Sequence, residues 1–163
     1  MKLLVFGLSL ILASSLASAC PIGEKETTLN VHRVMRNFGR YMSPAEDVAF
    51  KATNPYGTEK VQDSEITAAA AKLDISISCA DAVLANPTGE LLPDKSVFLE
   101  GKIKADYIES YIYFMEEFKT GLTEFRDLLL VVVAQKVETR DYQALKRKGD
   151  ELNELINHAH KRL

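Results

Sequence analysis

Apolar residues recur three and four positions apart along most of this chain, which is the spacing of one face of a helix. The first such stripe runs Val31, Met35, Phe38, Met42 and Ala49 and predicts a helix starting near Thr27-Thr28. Inside it, Ser43-Pro44-Ala45-Glu46 has the form of an N-cap, a proline at the first helical position and an acid. That segment predicts a kink or a restart. After the turn cluster Asn54-Pro55-Tyr56-Gly57 the pattern resumes with Ile66, Ala69, Leu73, Ile77, Ala80 and Leu84, until Asn86-Pro87-Thr88-Gly89 stops it. The connection from Pro87 to about Gly101 carries Leu91, Leu92, Val97, Phe98 and Leu99, and is expected to pack onto the helices.

The third stripe is the longest, with Ile108, Tyr111, Met115, Phe118, Leu122, Phe125, Leu129 and Val132. It has the character of a bundle seam. Its end, Leu128-Leu129-Leu130-Val131-Val132-Val133, is apolar all round and should be the most deeply buried turn, or one covered by a partner. A fourth stripe runs Tyr142, Leu145, Gly149, Leu152, Ile156, Ala159 and Leu163. Four amphipathic segments joined by turns, with no alternating strand pattern, predict an all-α fold, an antiparallel up-down four-helix bundle.

The N-terminus changes the picture of where this bundle works. Lys2 is followed by an apolar run from Leu3 to Ala13, too short for a membrane span, and Ala17-Ser18-Ala19 offers small residues for a peptidase. Residues 1–19 therefore read as a signal peptide, leaving a single domain of 144 residues, 20–163, which is long enough to bury a core. The mature part has 19 basic and 23 acidic residues, and a net charge of −4 has no basic footprint for nucleic acid. Cys20 becomes the mature terminus. It could carry a lipid anchor, although Ala17 stands where a lipobox usually has leucine. Cys79 lies in an apolar helical stretch and reads as a buried free thiol rather than as the partner of Cys20. No Cys-x-x-Cys-His occurs, which excludes thioether attachment of a haem.

Little in the chain resembles an enzyme. It has three histidines, no Ser-His-Asp spacing, no nucleophile elbow and no Glu-x-x-His pair for a di-metal bundle. What remains is a methionine on the first helix and a histidine pair ending the last. At 100° per residue, His160 lies roughly 60° from the centre of the fourth stripe and His158 roughly 130°. Met35 falls inside the first stripe and His32 roughly 110° from its centre. By periodicity alone a methionine in a stripe is core filler, and histidine beside Lys161 and Arg162 complements a helix dipole.

The segment Leu29-Asn30-Val31-His32-Arg33-Val34-Met35-Arg36-Asn37-Phe38-Gly39-Arg40 is similar to the first helix of the cytochrome b562 family: a methionine, a hydrophobe three on, then glycine and a basic residue. Met115-Glu116-Glu117-Phe118 resembles the family's third-helix motif, and Leu152 with His160-Lys161 resembles its last helix. Helix one and the loop before helix three are longer than the family's. The resemblance implies a periplasmic electron carrier, not an enzyme, with one non-covalent haem b. Its iron ligands would be Met35 and His160, with Phe38, Phe118, Leu122 and Leu152 around the porphyrin. Arg36, Arg40, Lys161 and Arg162 are placed to meet propionates. The implied partner is a redox protein, and the chain a monomer or weak dimer. His158 is a second candidate ligand if the register slips. The competing reading is a haem-free exported adaptor or chaperone-like bundle.

Overall fold

The computed structural model describes residues 19–22, 28–56 and 60–162. The expected signal peptide, apart from Ala19, lies outside the described residues, as does Leu163 of the fourth stripe. Four α-helices form: α1 Val31–Thr53, α2 Asp63–Ala85, α3 Gly101–Ala134 and α4 Tyr142–Arg162. No strand occurs among the described residues.

Local chemistry sets the helix ends. Asn30, not Thr27-Thr28, caps α1, its side chain accepting from the Arg33 amide at 2.9 Å. At α2 the Glu65 carboxylate reaches back to accept from the Gln62 amide at 2.8 Å. Asp141 accepts from the Ala144 amide at 3.0 Å and opens α4. Gly101 enters α3 at φ +54°, a left-handed conformation that costs glycine nothing. The restart expected at Pro44 does not occur: α1 runs on through it. A proline forfeits one backbone hydrogen bond, and the buried residues on either side, Met42, Ala45 and Val48, hold the helix to the core.

Each helix packs on two others, α1 and α3 each lying against α2 and α4. Four helices in that ring are compatible with a helical bundle. The seam of α3 is the most completely buried face: Tyr111, Met115, Phe118, Leu122, Phe125, Leu129 and Val132 are each at most 2% exposed. Polar pairs lace the helices outside this core. Arg126 meets Asp74 at 2.9 Å, Lys148 meets Glu124 at 2.8 Å, and Asn153 donates to Glu46 at 2.8 Å. The Arg140 side chain, 3% exposed, donates to Asp63 at 2.7 Å and to the Val133 and Gln135 carbonyls, pinning the α3–α4 turn to the start of α2. This guanidinium holds the Asp63 carboxyl below the usual carboxylate range.

Two expectations of burial need correction. At the end of α3, Leu129 and Val132 are buried but Leu130 and Val131 are exposed, because the flanking helices cover one side of that turn. In the long connection Leu91 and Leu92 pack on the core as expected, yet Val97 and Phe98 face outward. No described helix is long and apolar enough to cross a membrane.

Cys79 is not a free thiol. It is joined to Cys20 by a disulfide that spans 59 positions of sequence. Cys20 and Pro21 lie against α1 and α2, where the buried Asn37 amide donates to the Pro21 carbonyl at 3.0 Å and lies beside both sulfurs. Sulfur engaged in this bridge cannot also carry a lipid thioether.

A bridge closing a loop of this length stabilises by roughly 4 kcal/mol in the chain-entropy model. Reducing the disulfide, or replacing both cysteines by serine, should therefore lower the urea midpoint by about that free energy divided by the slope. An unchanged midpoint would show that the bridge does not constrain the unfolded chain.

Candidate functional site

One cavity stands out because its walls are mostly apolar and aromatic. It has a volume of about 520 Å³ and lies between α1, α3 and α4, with Pro93, Asp94 and Lys95 of the α2–α3 connection along one edge. That volume is typical of small-molecule and cofactor sites, roughly 300–1,000 Å³. Helix α1 contributes Val31, His32, Met35, Phe38, Gly39 and Met42, and α4 contributes Ile156, Ala159 and His160. The α3 wall is aromatic, formed by Tyr107, Tyr111, Phe114 and Phe118 at helical spacing.

These rings are ordered by contact. Phe38 meets Phe118 edge to face with centroids 4.8 Å apart, and Phe114 stacks on Phe118 at 5.7 Å. The Tyr111 hydroxyl donates to the Leu91 carbonyl at 3.2 Å, which ties the connection to the floor of the cavity. Burial raises the Tyr111 and Tyr107 phenols above their ordinary pKa, so both are neutral donors at any physiological pH.

Both residues singled out as ligands, Met35 and His160, line this cavity. Their settings differ from expectation in one respect. Met35 is 37% exposed rather than part of the buried stripe. The helix turns 100° per residue, and α1 presents Val34 and Phe38 to the core, which leaves Met35 at the cavity margin. His160 is likewise exposed on the last turn of α4. His158 does not line the cavity. It faces a neighbouring groove with Tyr113, Glu117 and Arg162.

Among the expected surrounding residues, Phe38 and Phe118 line the cavity, but Leu122 and Leu152 do not. Leu122 sits one turn further along the α3 seam, and Leu152 packs at Gly121, where an added Cβ would lie 2.7 Å from its Cδ2. None of Arg36, Arg40, Lys161 and Arg162 lines the cavity. Arg40 instead lies over the Tyr41 ring at 5.5 Å. The cation at the cavity edge is Lys95, in a connection without periodicity that sequence reasoning could not place.

Residues missed by sequence reasoning include Tyr107 and Phe114. Their spacing to Tyr111 and Phe118 is the same three-four rhythm that identified the seam, so the signal was present. Gly39 is a different case. It interrupts a helix interior, yet a Cβ built there meets nothing within 4 Å, because the residue opens onto the cavity.

Among the described residues no cluster of three or more His, Cys, Asp or Glu could hold a metal ion. The donor atoms lining the cavity are the thioethers of Met35 and Met42, the imidazoles of His32 and His160, the Asp94 carboxylate and the hydroxyls of Tyr107 and Tyr111. No family model, curated protein or solved structure matches this chain.

Because nothing opposes a methyl group at Gly39, Gly39→Ala should raise the stability of the ligand-free protein by about 0.5–1 kcal/mol through helix propensity alone. Denaturant melts of the two proteins check this. A loss of stability would mean that the cavity is closed at that position.

Proposed function

We propose that this chain is an exported electron carrier of the cytochrome b562 type, holding one haem b non-covalently between Met35 and His160. One observation carries the reading. The two residues assigned as ligands by resemblance stand on different helices, 125 positions apart in sequence, and line the same aromatic cavity.

The residues present fit the group. A planar apolar macrocycle needs rings and aliphatic side chains around it and room against a helix backbone, and Phe38, Phe114, Phe118, Ile156 and Gly39 provide these. When bound, haem supplies a reversible one-electron couple. Met35 offers a soft thioether, which favours the reduced metal, and His160 offers an imidazole. Met35 and His160 would both be engaged in holding the group, which supports a carrier rather than an enzyme. The aromatic wall excludes water and lowers the local dielectric. The partner in this reading is a second redox protein, met by a monomer or weak dimer.

We read the bundle as antiparallel and up-down. Supporting this, partners on α2 fall in number as those on α3 rise, Asp81 with Lys119 and Asp74 with Arg126, and Asp63 at the start of α2 meets Arg140 just beyond the end of α3. Lys51 with Glu65 and Asn37 with Cys79 relate α1 to α2 in the same sense. Export to the periplasm is supported by the apolar leader and by a buried disulfide, which persists in oxidising compartments. With its sulfur in that bridge, Cys20 does not also carry a lipid thioether.

The test is haem titration of the mature protein and its single variants. Wild type should give a low-spin spectrum at one haem per chain, and His160→Ala should lose it or leave a weak high-spin form. Met35→Ala should keep haem, admit carbon monoxide and lower the reduction potential. His158→Ala should change little. Loss of low-spin haem in His158→Ala alone would reassign the ligand, and no uptake by wild type would favour the haem-free adaptor.

A further inference from the structure

We infer that Lys95 is the residue that reads the acidic edge of the cavity's occupant, so that the α2–α3 connection acts as a carboxylate-binding strap. This rests on the haem reading above, since a porphyrin carrying two propionates is the occupant assumed. Among the described residues, Lys95 is the only lysine or arginine lining the cavity. Its Nζ lies over the Tyr107 ring, 5.3 Å from the centroid. A ring face holds a cation without neutralising it. No carboxylate of the described residues pairs with this ammonium, whereas Lys51, Lys102, Lys119, Lys146 and Lys148 all have acidic partners.

The neighbouring acid faces α1. Asp94 Oδ2 lies 3.2 Å from His32 Nε2, which brings the connection beside α1 at the cavity mouth. Leu91 and Leu92 packed on the core, the buried Ser96 and the Tyr111 hydroxyl hold the strap on both sides of this point. A ligand that buries its apolar body among Phe38, Phe114 and Phe118 must leave its carboxylates at the edge, because burying an unpaired charge is costly. At that edge Lys95, on a flexible stem, can exchange a ring face for a carboxylate.

The experiment titrates the mature, disulfide-bonded protein with iron-free protoporphyrin IX and with its dimethyl ester, following tyrosine quenching. Because neither probe carries iron, the axial ligands drop out of the comparison. Wild type should prefer the diacid by about tenfold, the scale of one charge-assisted hydrogen bond. Lys95→Met should lose that preference while binding the ester as wild type does, and Lys95→Arg should retain it. Circular dichroism of the variants checks the fold. Equal diacid affinity in Lys95→Met and wild type would overturn the inference and leave the haem reading standing. Failure of wild type to bind either porphyrin or haem would remove both.

Discussion

The buried face of α3 is the constraint from which the other positions follow. From Tyr111 to Val132 it presents large side chains at three-four spacing that are almost wholly removed from water. Truncating one such aromatic typically costs about 3–5 kcal/mol, a large part of the whole stability of a domain this size. Helix α2 covers one side of this face with small residues, Ala69, Ala70 and Ala80 among them, and so approaches closely. Helix α4 covers the other, and an added Cβ at Gly121 would meet Leu152 while one at Gly149 would meet Phe125.

The cavity is a consequence of what happens at the other end of the same face. There the α3 wall is Tyr107, Tyr111, Phe114 and Phe118, while α1 offers Gly39 and α4 offers Ala159, too small to meet across the gap. Protein interiors are close-packed, and here a pair of small residues opposite an aromatic wall leaves a gap among the described residues. The disulfide ties Cys20 to α2, and Asn37 of α1 donates to the Pro21 carbonyl beside it, so the bridge and this hydrogen bond link α1 with α2. On the α1–α4 side, Asn153 donates to Glu46.

The long helices were legible because periodicity records burial directly, and α3 kept almost every seam residue the pattern assigned. Met35 was misplaced because two faces of α1 are apolar: one packs in the core and one borders the cavity, and periodicity merges them. Cys20 and Cys79 lie 59 positions apart, and Cys20 belongs to no helical stripe, so periodicity says nothing of their meeting. Lys95 was missed for the same reason, since its position is set by the Tyr111–Leu91 tie and by Pro93, not by any helical phase. Leu122 and Leu152 belong to the right faces but to turns where α3 and α4 already touch.

All of this turns on whether the cavity binds haem through Met35 and His160. The most direct measurement is the absorption spectrum of the full chain exported to an oxidising compartment with haem supplied, in both redox states and after acid-acetone extraction. The account predicts a six-coordinate low-spin spectrum in both states and complete removal of the pigment by extraction. A colourless protein, or a pigment that stays with the polypeptide, would contradict it.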